Sequence, residues 1–153
     1  LDVAAFREAE KLPLVVVLDN VRSLHNVGSV LRTADAFRVE EVVMCGITAT
    51  PPSAEIHKTA LGGEDSVDWR YFERTEDAVQ ALKKDGVKVW AVEQVEHSTK
   101  LQRLEQAIAG DGANAAYAVI LGNAVKGVKT SVVDLCDGSL DMIGDIEAGL
   151  QQL

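Results

Sequence analysis

Apolar positions along the chain follow two alternating periods. LPLVVVLDNV (12–21) is β-branched and nearly unbroken, the pattern of a strand buried on both faces. The next segment places Leu24, Val27, Leu31 and Ala34 at helical spacing. EEVVMCGI (40–47) predicts a second strand, and TATPPS (48–53) a loop broken by proline. SAEIHKTALG (53–62) predicts a short helix ending at Gly62 or Gly63. VDWRYFE (67–73) alternates as a strand. TEDAVQALKKDG (75–86) starts with Thr75 as cap, turns Ala78, Val79 and Leu82 inward, and stops at Gly86. KVWAVEQV (88–95) predicts a strand, TKLQRLEQAIAG (99–110) a helix, and AYAVILGN, ending at Asn123, a further strand.

Strand and helix in alternation, joined by short connections, imply right-handed crossovers and a mostly parallel sheet with helices on both faces. The expected class is α/β, with residues 1–153 forming a single domain. At 153 residues the chain is long enough to bury a substantial core. No run approaches the roughly 18 apolar residues of a membrane span. Without a basic-then-apolar leader, nothing suggests secretion. Cys45 and Cys136 lie far apart and lack metal-type spacing, so a reduced, cytoplasmic chain without a metal site is the economical expectation. Leu1 suggests that a longer parent has been trimmed. The net charge of −9 argues against nucleic-acid binding over the whole surface, which is built on Lys and Arg.

In open α/β sheets ligands sit beyond the carboxyl ends of the strands, and three such ends carry unusual residues. In HNVGSVLRTADAF (25–37), Asn26 can cap backbone N–H groups, Gly28 permits close approach, and Arg32 lies one turn further on the same face. Singly these read as a cap, a packing contact and a solvated charge; together, after a buried strand, they favour a site. In ILGNAVKGV (120–128), a strand delivers Leu121 and Gly122, then Asn123, and Gly127 follows within one short loop. Glycine lets the main chain of such a loop come close to a small ligand. Neither GxxxxGK[ST] nor GxGxxG is present, so no phosphate loop supports a nucleotide-binding module. CGITATPP (45–52) is a weaker third candidate for the same cleft. Asp19 reads as a helix-entry hydrogen-bond acceptor, the commoner role, or as a substrate contact; His57 and His97 read as surface positions without partners, and Trp69 and Trp90 as core. The carboxylates of 73–77 and 144–147 read as solvated faces.

DNVRSLHNVGSVLRTADAF (19–37) resembles the first motif of the SpoU, or TrmH-like, branch of the SPOUT-class RNA methyltransferases, and ILGNAVKGV resembles their second. The likeness runs from about Lys11 through Gly138. It implies a deep trefoil-knotted α/β fold, S-adenosylmethionine as methyl donor, a homodimer, and 2′-O-methylation of a ribose in structured tRNA or rRNA. It carries catalytic roles onto Asn26 and Arg32, and a cofactor-lining role onto Leu121, Gly122 and Asn123, with Gly127 and Met142 in the same pocket. An arginine is effectively always protonated, so positioning the phosphate and ribose and polarising the 2′-hydroxyl is its simplest role.

Two departures from the pattern bear on activity. Ala124 stands where the family's second motif has glutamate, and an alanine methyl can neither hydrogen-bond nor balance Arg32. After Cys136 the chain reads CDGSLDMIGDIEAGLQQL. SLDMI (139–143) fits the family's last strand, with Met142 and Ile143 at its usual Ile-Pro, but the following loop and Ser-Leu-Asn are missing. The expectation is a SPOUT-like sheet with a shortened end, too short to guarantee the knot, and weakened donor binding. Two functions stay open: a methyltransferase, and a non-catalytic or engineered dimeric variant of the same scaffold.

Overall fold

A computed structural model describes residues 11–92, 116–122 and 127–140. In chain order the elements are β1 (Leu12–Asp19), α1 (Leu24–Ala36), β2 (Val39–Cys45), α2 (Ala54–Ala60), α3 (Gly63–Ser66), β3 (Trp69–Phe72) and α4 (Thr75–Lys84). They continue with β4 (Lys88–Val92), β5 (Tyr117–Leu121), α5 (Thr130–Val133) and β6 (Gly138–Leu140). The helix expected over 99–110, the candidate residues Asn123, Ala124 and Met142, and the tail beyond Leu140 lie outside the described residues.

The six strands form one sheet in the order β3-β2-β1-β5-β4-β6, and every pairing is parallel. Alternate residues of the central strands feed two separate cores, the consequence of the two-residue strand period. Leu14, Val16 and Leu18 of β1 pack with Val27, Val30 and Leu31 of α1 and with Ile56 of α2. Val15 and Val17 point the other way, toward Ala78, Val79 and Leu82 of α4 and Val132 of α5. A parallel sheet covered on both faces needs this double burial.

Direction and face agree. From β1 through β2 to β3 the chain moves toward one edge with α1 to α3 on one face. From β3 to β4, and again from β5 to β6, it moves the other way with α4 or α5 on the opposite face. Right-handed crossovers require that reversal of face with direction. The connections leaving β1 and β5, neighbours with Leu18 opposite Leu121, therefore diverge. That point is the topological switch where open α/β sheets open a crevice.

Several local expectations need correction. Ser23, not Asn26, caps α1: its hydroxyl accepts the backbone N–H of Asn26 at 3.1 Å. Arg74 is the cap residue of α4, and Thr75 is its first helical residue; the threonine hydroxyl is committed to Asp19 instead. α2 ends at Ala60, and Leu61 at φ 50° takes the left-handed position expected of a glycine. The short helices α3 and α5 were invisible to periodicity because four residues make barely one turn.

Candidate cofactor site at the strand tips

Asp19 ends β1 with its side chain on the α4 face and only 2 % of its surface exposed. A buried carboxylate needs donors, and three are present. The Thr75 hydroxyl donates to Oδ1 at 2.6 Å, the Asn20 side-chain amide donates to Oδ1 at 3.1 Å, and the Lys129 backbone N–H donates to Oδ2 at 3.0 Å. One side chain thus ties the tip of β1 to the start of α4 and to the backbone returning from β5. Glu76 reinforces the same junction, accepting from the Ser131 hydroxyl at 3.1 Å and the Lys129 ammonium at 3.5 Å. Its carboxyl is held below the usual range chiefly by its own backbone N–H; burial opposes this, and Ser131 and Lys129 add to the lowering. The acidic run at 73–77 is therefore not wholly a solvated face.

The other loop at the switch is equally tied down. Thr48, 3 % exposed, accepts the Val21 N–H at 2.9 Å and donates to the Leu18 carbonyl at 3.2 Å. Asn20, at φ 53°, accepts the Ile47 N–H at 3.0 Å. The CGITATPP stretch is thereby brought against the tip of β1, as its strand-end position suggested. Cys45, its first residue, is buried, and burial pushes its thiol up to about 12.

Gly122 closes the tip of β5. A Cβ on it would collide with the backbone of Gly127 and Val128, so the chain leaves at Gly122 and comes back against the same residue. Gly127 holds φ 70° with open space where its own Cβ would stand. Leu121, Gly122 and Gly127 are thus brought together beside Asp19; the first two are buried and the third is half-buried, and neither glycine puts a side chain in the way. Such a wall suits a ligand recognised through its polar edge by backbone groups.

Asn26 and Arg32 are placed differently. Asn26 is in the first turn of α1, half-buried. Arg32 is the ninth residue of that helix, about 12 Å along it from the first at 1.5 Å per residue. It is exposed and has no ion pair or hydrogen bond among the described residues. A Cβ on Gly63 would stand 3.1 Å from the Arg32 backbone nitrogen, so the neighbour at this level is α3, not β5. Gly28 serves packing: a Cβ there would collide with Thr59 Oγ1 and lie 2.7 Å from the Ile56 carbonyl oxygen. Of the residues in the first motif, the glycine joins helices and the arginine has no partner among the described residues.

A separate cleft of about 540 Å³ lies between the Pro51–Ser53 loop, α2, α3 and Trp69. His57 Nδ1 and Glu64 Oε2 meet there at 2.8 Å, so His57 is exposed but has a partner, contrary to expectation. Trp69 packs partly on the core and partly lines this cleft. No cluster of metal-binding side chains occurs among the described residues, and none of the described helices is long and apolar enough to cross a membrane.

With this geometry in hand, comparison with known proteins is decisive about ancestry. The model of the SpoU rRNA methylase family matches residues 13–148.

The chain belongs to the SpoU family.

A Staphylococcus aureus protein named for the TrmH family of tRNA/rRNA methyltransferases is 27 % identical over 144 residues, covering 93 % of this chain and 55 % of its own length. The 23S rRNA (guanosine-2′-O-)-methyltransferase of Coxiella burnetii is 26 % identical over 149 residues, covering 95 % and 56 %. The chain thus spans little more than half the length of these relatives. Among solved structures, the A. aeolicus TrmH/SpoU tRNA modifying enzyme superposes with a TM-score of 0.67 at 19 % identity over 98 % of this chain and 81 % of that one. The AdoMet-bound rRNA methyltransferase of Sinorhizobium meliloti gives 0.67 at 20 % over 95 % and 57 %. Similarity at this identity establishes the SpoU fold.

Proposed function

We propose that this SpoU chain is the S-adenosylmethionine-dependent domain of an RNA methyltransferase that modifies the ribose 2′-hydroxyl of a tRNA or rRNA. Two observations support the reading: the family match over most of the chain, and a glycine-closed strand tip at the topological switch point. The carrying observation is the second, because it supplies a place for the donor. Leu121, Gly122 and Gly127 would hold it through main-chain groups, with Asn123 and Met142 completing the wall. When bound, the donor supplies an electrophilic methyl group on a sulfonium.

Arg32 provides what the hydroxyl needs. Its fixed positive charge engages the ribose phosphate and polarises the 2′-oxygen, and Asn26 orients the sugar. Because Arg32 lies about two turns down α1 from the tips, we place it at the strand tips of a second copy, which makes the active assembly a homodimer. Ala124, where the family pattern has glutamate, leaves Arg32 without that carboxylate and is expected to lower the rate by a factor of about ten or more. A dimer that folds but transfers no methyl group is the second reading, favoured by that alanine and by the missing loop and Ser-Leu-Asn after Ile143.

Transfer of labelled methyl from S-adenosylmethionine to total tRNA and rRNA, followed by nuclease digestion, tests the proposal. Label recovered in 2′-O-methylnucleosides, and lost with Arg32→Ala, supports it. Label on a base contradicts the ribose assignment, and no transfer even with Ala124→Glu favours the inactive scaffold.

A further inference from the structure

Asp19 is buried, ionisable and unused by the proposed chemistry. We infer that it is a positioning residue that sets the donor-binding wall; this rests on the donor reading above. Its Oδ2 accepts the Lys129 N–H at 3.0 Å, two residues beyond the Gly127 backbone that packs on Gly122. Its Oδ1 is fixed in turn by the Thr75 hydroxyl at 2.6 Å and Asn20 Nδ2 at 3.1 Å. The carboxylate bridges the two chain segments that diverge at the switch point, and α4 anchors it from below. Without it the Lys129 N–H loses its acceptor, and nothing else among the described hydrogen bonds fastens the 127–129 main chain to β1. Glu76 holds Lys129 and Ser131 by their side chains only, which restrains the segment without fixing the orientation of its amide plane.

The role is geometric rather than electrostatic. An asparagine can keep two of the three contacts, because its carbonyl accepts from Lys129 and a threonine hydroxyl can turn to accept from the amide; the 3.1 Å contact from Asn20 is the one it gives up. Asp19→Asn therefore retains donor affinity within a few-fold, while Asp19→Ala weakens it about tenfold or more, as loss of a supporting partner does elsewhere. Thr75→Val, which leaves the Lys129 contact intact, falls between them and serves if the alanine variant fails to fold.

The experiment pairs calorimetric titration of the full chain with S-adenosylmethionine and amide hydrogen exchange at Lys129. Leu82→Ala, a core change further along α4, controls for stability alone. The inference predicts that Asp19→Ala loses affinity and Lys129 protection together, that Asp19→Asn keeps both, and that Leu82→Ala keeps affinity. Equal losses in Asp19→Asn and Asp19→Ala would mean that the charge itself acts on the cationic donor, and equal loss in Leu82→Ala would reduce the role to stability; either overturns it. If the parent chain gives no heat, the donor reading fails, and Lys129 protection in Asp19→Ala still decides whether the bracket exists.

Discussion

Gly28→Ala separates the two meanings a glycine can have in the first motif. At an unobstructed helix interior, alanine is favoured over glycine by about 0.8–1 kcal/mol. Here the added methyl would collide with Thr59 Oγ1 and stand 2.7 Å from the Ile56 carbonyl oxygen and 3.0 Å from Thr59 Cβ. Forcing a methyl into a packed contact costs about 1–3 kcal/mol. Among the described residues the hydroxyl is held by two long bonds, to His25 O at 3.3 Å and Ile56 O at 3.4 Å, so it can swing aside. The Ile56 carbonyl belongs to α2 and can retreat only if the helix moves. The net expectation is a loss of about 1–2 kcal/mol, the upper part of the difference between these terms. Chemical denaturation should show a lower midpoint with an unchanged slope. Adding Thr59→Ala should restore part of the loss by removing the hydroxyl, but not all of it. A Gly28→Ala protein that is more stable by about 1 kcal/mol, the propensity gain alone, would refute the close approach. Gly28 would then have to be explained by substrate.

Thr48→Val removes a hydroxyl that both accepts from Val21 and donates to Leu18; the stranded Val21 amide should cost about 1–3 kcal/mol by thermal or chemical unfolding. Gly122→Ala should expel the Gly127 main chain from the tip of β5, abolishing donor binding by calorimetry while far-ultraviolet circular dichroism stays native. Burial pushes the Cys45 and Cys136 thiols up to about 12 and about 11, so both should resist alkylation at pH 8 until denaturant is added, as mass spectrometry would read. Glu76 has its folded value lowered, so its contribution is present above the ordinary carboxylate range and disappears as pH falls through the folded value. Compared with Glu76→Gln, the parent should lose its stability advantage only in that acid window.

The architecture was largely legible because the dominant signal is repetitive. A β-branched run such as LPLVVVLDNV announces a doubly buried strand, and its alternation with 3.6-period segments fixes the class. Strand order was not encoded locally: that β5 inserts between β1 and β4 depends on long-range pairing. The ends of elements were misread where side chains had tertiary duties. Thr75 looks like a cap by sequence, yet its hydroxyl is drawn to Asp19, 56 residues away. Leu61 occupies a left-handed position that only context could assign. That Leu121, Gly122 and Gly127 lie near one another was legible from glycine spacing after a strand, whereas the Asp19–Lys129 contact spans 110 residues and left no local trace. Arg32 was visible as an unusual charge, but its distance from the tips along α1 became clear only in the fold.

The central claim is that S-adenosylmethionine is held at the diverging tips of β1 and β5. Backbone amide shifts recorded while the donor is titrated into isotope-labelled protein test it directly. The account predicts that the largest changes fall on Leu121, Gly122, Gly127 and Lys129. Changes concentrated around Ser53, His57 and Trp69, in the cleft at the far side of α2, would contradict it.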